Sequence, residues 1–246
     1  MILFENLTKI YSGIIAVNSL NLQIPRGTIF GFIGPNGAGK TTTIKMMAGV
    51  LKPTKGRILL NGVDIAREPS KAKKIIGFIP DRPFLYEKLS GMEFLRFKAG
   101  LYGIKGDRLH EKIEGLLNLF ELTDWADELI ESYSHGMKQR LVIASAMIHE
   151  PQVIIVDEPM VGLDPKGAKL VKDIFKGWAK SGATVFMSTH TLALAQELCQ
   201  KIAIVNKGRV VASGTSKDLE KQTGVEGNLE KIFLKITGGW NGHEDV

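Results

Sequence analysis

Short apolar blocks dominate the first third of the chain. Residues 2–7, 20–24 and 28–33 are rich in β-branched and aromatic side chains and predict strands. Residues 57–60, the pair Asn61-Gly62 and residues 63–65 predict a hairpin, because Asn-Gly accepts the positive φ of a type I′ turn. Residues 41–50 predict a helix that stops near Gly49 and Pro53, since proline cannot continue one. Residues 75–79 form another apolar strand. The period changes after about residue 86. Leu109, Ile113, Leu116, Leu117 and Phe120 recur at helical spacing, Phe94, Leu95 and Phe97 mark another helix, and residues 136–149 a third. Strand signals resume at 153–156, 184–187 and 202–205, and Lys207-Gly208 turns the chain into 209–211.

This order describes an α/β core interrupted by a helical block. A plain crossover between parallel strands needs only about a dozen residues, far fewer than separate Lys40 from Asp157. The expected division is a core of residues 1–86 and 151–218, a helical block of 87–150, and a C-terminal helix and disordered tail over 219–246, with disorder expected from Gly238 on. No repeat at a fixed period and no low-complexity stretch is visible.

Composition narrows the classes. The chain has 246 residues, 44% hydrophobic, enough for one substantial core. Its one cysteine, Cys199, excludes an intrachain disulfide, suits a reducing cytoplasmic setting and reads as a packed thiol. No signal peptide is visible, and no apolar run reaches the ~18–20 residues of a membrane helix. The net charge of +6 suits an anionic partner such as anionic lipid, nucleic acid or nucleotide. The dense cluster Lys71-Ala72-Lys73-Lys74 reads as a solvated face, and nucleic-acid binding is not expected from it.

The candidate chemistry begins at Gly34-Pro35-Asn36-Gly37-Ala38-Gly39-Lys40-Thr41, which fits G-x-x-x-x-G-K-[ST]. A strand precedes it and a helix follows. Glycines let backbone N–H groups turn inward around phosphate oxygens, and the helix N-terminus adds partial positive charge. Lys40 is expected to reach the β- and γ-phosphates of ATP, Thr41 to ligate Mg²⁺, and Thr42 to contact an outer phosphate. The plainer reading, a glycine-rich turn before a helix, does not explain that context.

Residues 153–156 run into Asp157 and Glu158. Strands buried on both faces read as continuous apolar runs, and ligands of open α/β sheets bind beyond the carboxyl ends of strands. Asp157 is therefore placed to hold Mg²⁺ and Glu158 to orient and deprotonate the attacking water.

These motifs, with three more, resemble the ATP-binding cassette (ABC) ATPases over about residues 2–214. Tyr133-Ser134-His135-Gly136-Met137-Lys138-Gln139-Arg140 is similar to the family signature, with Ser134 and Gly136 fitting and Tyr133, His135 and Met137 departing from it. Gly162-Leu163-Asp164-Pro165 and Ser188-Thr189-His190 resemble the loop after the acidic strand and the switch-histidine motif. Pro80-Asp81 falls where the family usually has a glutamine. The resemblance implies a P-loop NTPase fold: a RecA-like mixed sheet, an antiparallel β part and an inserted helical subdomain.

It also implies roles. Ser134 would cap a helix whose N-terminus, with Gly136, faces the γ-phosphate held by another protomer in a head-to-tail dimer; capping alone would also account for Ser134. His190 would sense the γ-phosphate or be a structural strand-end histidine. Asp164 would support the interface or merely turn the chain before Pro165. Tyr11 would stack on adenine or join the core. Asp81 can accept but not donate when ionised; the role assigned to it is coupling, with Mg²⁺ ligation through water open to it.

The expected function is the ATP-binding and ATP-hydrolysing subunit of a membrane transporter, export-type, at the cytoplasmic face of the membrane. Its partners would be a separate permease chain and a second ABC ATPase, as homodimer or heterodimer. A soluble ABC ATPase, such as one for cluster assembly, is the alternative. A small-molecule kinase or GTPase shares the loop but leaves residues 134–140 and His190 unexplained. The amphipathic stretch 229–235 fits an export-type subunit or simply a closing helix.

Overall fold

A hairpin opens the chain. β1 (Ile2–Tyr11) pairs antiparallel with β2 (Ile14–Ile24) from Ile2↔Ile24 to Tyr11↔Ile14. Ser12 and Gly13 join them at φ 43° and 87°, the left-handed pair that a tight turn requires. The strand expected only from residue 20 thus starts at Ile14. Ile14 and Ile15 are exposed and Val17 is buried, so the period-2 alternation is lost where the strand begins. β4 (Lys55–Leu60) pairs with the other edge of β1, and β5 (Val63–Asp64) follows through the predicted turn, with Asn61 and Gly62 at φ 49° and 88°. The order is β2-β1-β4-β5.

The computed structural model describes residues 1–82, 84–106, 108–225 and 227–238, and its larger sheet carries the site. That sheet consists of β3 (Ile29–Ile33), β6 (Ile76–Ile79), β7 (Val153–Asp157), β8 (Thr184–Thr189), β9 (Lys201–Asn206) and β10 (Arg209–Gly214), ordered β10-β9-β3-β8-β7-β6. Every pairing is parallel except β9–β10. All residues of β3, β7 and β8 are buried, which is why residues 29–33, 153–156 and 185–187 read as apolar runs.

Between the two sheets lies a core that includes α1 (Lys40–Met47), with Phe4, Phe30 and Phe32 all packed on Phe186 at centroid distances of 6.1, 5.9 and 5.1 Å. The helix expected over 41–50 ends at Met47; Gly49 turns left-handed at φ 67°, and Val50 is exposed beyond it. α2 (Pro69–Lys74) presents Lys71, Lys73 and Lys74 outward and buries Ala72, the expected solvated face.

On the other face of the sheet a continuous core joins α3 (Gly91–Leu101), α4 (Arg108–Leu119), α5 (His135–Met147) and α6 (Pro165–Lys180). Ser90 and Glu93 form a reciprocal capping box at the start of α3. Ile113, Leu116, Leu117 and Phe120 are buried as their spacing predicts. Tyr133, a departure from the signature consensus, is a core residue: its hydroxyl donates to Trp125 O at 2.5 Å, and a Cβ on Gly91 would lie 2.3 Å from its oxygen.

A third core gathers the end of the chain. α7 (Leu192–Leu198), α8 (Ser216–Thr223) and α9 (Leu229–Thr237) pack on β9 and β10. α9 buries Leu229 and Ile232, so the 229–235 stretch does close the fold. Of the tail expected to be disordered, Gly238 caps α9 in the left-handed region, and residues 239–246 lie outside the described residues. Cys199 is packed as expected: a Cβ on Gly31 would lie 3.0 Å from its Sγ, and burial pushes its thiol up to about 12.

Candidate active site

The phosphate-loop candidate, residues 34–39, links β3 to α1. Gly39 precedes α1 at φ 99°, and a Cβ there would fall 2.4 Å from Ala16 O, so both conformation and space demand glycine. The loop is pinned from outside: Gly208 N–H donates to Ala38 O at 3.0 Å, and Asn18 N–H donates to Gly208 O at 2.9 Å. A cavity of about 200 Å³ opens over Asn36, Gly37, Ala38, Gly39, Lys40, Thr41 and Thr42, with Ala16 as its wall. Lys40 Nζ folds back over this loop, donating to Gly34 O at 2.6 Å and Pro35 O at 3.1 Å. Burial lowers its pKa, and the Glu158 and Asp157 carboxylates oppose that shift. A partly desolvated ammonium with spare N–H capacity fits an anion.

Asp157 ends β7 in register with Ser188 of β8. Burial raises its pKa. Glu158 and Asp81 add to the shift, while Lys40 and the buried Ser188 hydroxyl, which makes no regular hydrogen bond, oppose it. Asp81 is exposed beyond the end of β6 and acts on Asp157 through charge rather than contact. Glu158 stands at φ 49°, a strained position for a side-chain-bearing residue. Its N–H donates to Ser188 O at 3.0 Å. Its carboxylate accepts from Thr189 Oγ1 at 3.0 Å and from His190 N and Nδ1 at 2.8 Å each. An ionised carboxylate only accepts, so Nδ1 carries the histidine proton. The structure therefore brings Lys40, Asp157, Glu158 and His190 together at the carboxyl ends of β3, β7 and β8.

Ser134 and Gly136 stand elsewhere. Ser134 is the N-cap of α5 and accepts from Met137 N at 3.3 Å. α5 packs on edge strand β6, three strand spacings from β3. At roughly 4.8 Å each, that sets β3 and β6 about 14 Å apart, and α1 and α5 belong to cores on opposite faces of the sheet. Ser134 and the phosphate loop therefore do not share one pocket within a single chain. Gly136 backs onto Gly162, whose own added Cβ would lie 1.8 Å from the His135 ring. Asp164 caps α6, accepting from Gly167 N at 2.8 Å with Pro165 in the first turn, so its carboxylate is committed to its own helix. Tyr11 ends β1, half exposed, with Lys9 Nζ 5.2 Å from its ring centroid.

Sequence reasoning missed Ala16, Gly208 and Thr189. The first two wall and pin the loop through backbone groups, which no side-chain pattern announces. Thr189 lies inside a motif whose signal is its histidine.

Residues 17–161 match the family described as ABC transporter. The chain is 35% identical over 241 residues to the probable multidrug ABC transporter ATP-binding protein YbhF of Escherichia coli (strain K12), covering 96% of this chain but 42% of that protein. Thus the chain spans less than half of that relative's length. A solved ATP-binding subunit of an ABC transporter superposes with a TM-score of 0.90 at 32% identity, covering 96% of this chain and 99% of the other. The dimeric ATP-binding cassette MJ0796, in a post-hydrolysis state bound to ADP and Pi, superposes with a TM-score of 0.79 at 25% identity, over 92% of this chain and all of the other. Fold, loop and matched length agree: this chain belongs to the ABC transporter family.

Proposed function

We propose that the chain binds and hydrolyses ATP as the nucleotide-binding subunit of an export-type transporter whose permease is a separate chain. The observation that carries this reading is the convergence of Lys40, Asp157 and Glu158 at neighbouring strand ends beside the 34–41 loop. YbhF, named as a multidrug transporter's ATP-binding protein, supports the direction, and the cassette bound to ADP and Pi supports hydrolysis.

Loop amides 36–39 and Lys40 would bind the β- and γ-phosphates, Thr42 would add a hydroxyl, and Tyr11 would offer its ring to adenine. Mg²⁺ fits the remaining donors. The Thr41 hydroxyl and one Asp157 carboxylate are the sparse hard-oxygen set that this ion takes beside phosphates, with Asp81 able to accept from its waters. No group of three or more His, Cys, Asp or Glu able to hold a metal occurs among the described residues. When bound, Mg²⁺ supplies charge neutralisation at the phosphate oxygens.

Glu158 would take the proton of the attacking water at a carboxylate oxygen. In the structure that carboxylate is held by Thr189 and His190, so turnover requires it to be shared with or released by His190, whose ring is largely exposed. Lys40 would stabilise charge developing on the transferred phosphoryl group. The helix start at Ser134 and Gly136, set apart from the chain's own loop, would serve the nucleotide of a second protomer. ATP would then close a two-fold dimer.

The permease would dock on an exposed aromatic ridge. Phe84, Tyr86 and Phe97 are 79%, 47% and 41% exposed and meet edge to face at centroid distances of 5.4 and 5.3 Å. Phe84 and Tyr86 border a cavity of about 710 Å³ beside Asp81 and His135. Exposed apolar patches of this kind mark interaction sites.

Lys40→Ala tests the reading. It should weaken nucleotide binding or abolish turnover, measured by fluorescent-ATP titration and phosphate release. Unchanged hydrolysis would remove the loop from the account.

A further inference from the structure

The aromatic ridge is fastened to the start of α5. Residues 87–90 lie antiparallel beside residues 129–131, which enter the short 3-10 turn Ile130–Ser132 that leads to Ser134. Ser90 bridges to Leu129, Ile130 N donates to Leu89 O at 2.9 Å, and Glu131 N donates to Glu87 O at 3.1 Å. Two ion pairs cross the same seam: Lys138 Nζ meets Glu87 Oε1 at 2.6 Å, and Lys88 Nζ meets Glu131 Oε2 at 2.6 Å. Lys138 lies one turn into α5 and is mostly covered, its side chain 24% exposed, whereas Lys88 is 83% exposed. The Lys138 ammonium holds the Glu87 carboxyl below its usual range. On the far side, α5 is held by Gln139 Nε2, which donates to Pro159 O at 3.3 Å just after Glu158, and by His135 against Gly162.

We propose that Glu87 and Lys138 form a positioning latch. The pair would fix the segment bearing Phe84 and Tyr86 to the first turn of α5, so that a load on the aromatic ridge sets the position of Ser134. The physical case is one of placement rather than raw stability. A half-exposed ion pair adds little to folding, but this one reinforces a short backbone ladder at its junction with a helix start. The backbone pairing keeps the two segments adjacent, and the charge pair selects their register. Glu87 and Lys138 touch neither phosphate nor water in this scheme and act through Ser134. The inference rests on the ATPase reading only for its consequence in turnover; the latch itself is a property of the isolated chain.

The test uses full-length Glu87→Lys, Lys138→Glu and the doubly swapped chain. Hydrogen exchange followed by mass spectrometry reads peptides over 129–137 and, as control, over 34–47. Each single reversal should speed exchange at 129–137 by about fivefold, the scale of one such pair. The control peptide should not change, and the swap should restore protection. ATP turnover should fall and recover in parallel, at unchanged nucleotide affinity. Unchanged exchange at 129–137 in the single variants, or failure of the swap to restore it, overturns the latch. Thermal melts identify any variant that fails to fold, and the swapped chain then decides alone. Loss of turnover in the wild-type chain would count against the ATPase reading and leave the exchange result standing.

Discussion

Glu158 shows what a single residue position encodes here. At φ 49° it occupies a conformation that side-chain-bearing residues avoid, and such strain persists only where surroundings over-determine it. Thr189, the His190 backbone and the His190 ring do so. The pair Asp157-Glu158 was legible in sequence as a strand end; the handedness of Glu158 was not, because it depends on partners some thirty residues away. His149 is a second case, outside the site. Its ring stacks on Tyr102 at 3.7 Å and donates from Nε2 to Ile76 O at 2.8 Å, while Nδ1 is buried without a partner. Burial lowers its pKa; the Ile76 carbonyl opposes, and Lys98 and Lys112 add to the lowering, with Lys112 itself paired to Glu150. A histidine depressed in the folded state binds its proton more readily when unfolded. Stability should therefore be intact above its ordinary value near 6.5 and decline as pH falls below it. Urea midpoints at pH 7.5 and 5.5 should differ less in His149→Phe than in the wild type. An equal difference would remove His149 from the acid sensitivity.

Among the elements, legibility followed periodicity. The buried strands β3, β7 and β8 and the Asn61-Gly62 hairpin carry their signals locally, so pattern alone located them. α6 carries as strong a signal, burying Val171, Ile174, Phe175 and Ala179 after Asp164-Pro165, but its start overlaps the 162–165 motif, which masks the helix behind it. α2 and α7 are short, 6 and 7 residues, and owe their form to tertiary packing. The structure gives Asp164 a definite element-scale task, capping α6. Asp164→Ala should cost about 1 kcal/mol, or about 2–4 °C in Tm for a chain of this size, while Asp164→Asn, which also caps, should cost a few tenths. Equal loss in both variants would place the carboxylate's role outside its own helix.

At the scale of the whole molecule, one sheet sets at different strands the two helix starts that the proposed function assigns to phosphate. α1 follows β3 near its centre, and α5 packs on β6 at its edge. That separation was invisible in sequence, where both motifs simply occur; strand order and sheet face set α1 and α5 apart, so under the proposed function one chain holds an incomplete nucleotide site. Incompleteness of this kind is what a two-fold partner resolves. No helix among the described residues is long and apolar enough to cross a membrane. The most direct test of the central claim is phosphate release by Glu158→Gln beside its ATP-dependent association, read by light scattering. The substitution keeps the shape of the side chain and removes its capacity to take a proton. Turnover should fall by at least about a hundredfold, the scale of a lost general base, while ATP binding persists and the protein dimerises with ATP. Wild-type turnover by Glu158→Gln would contradict the account.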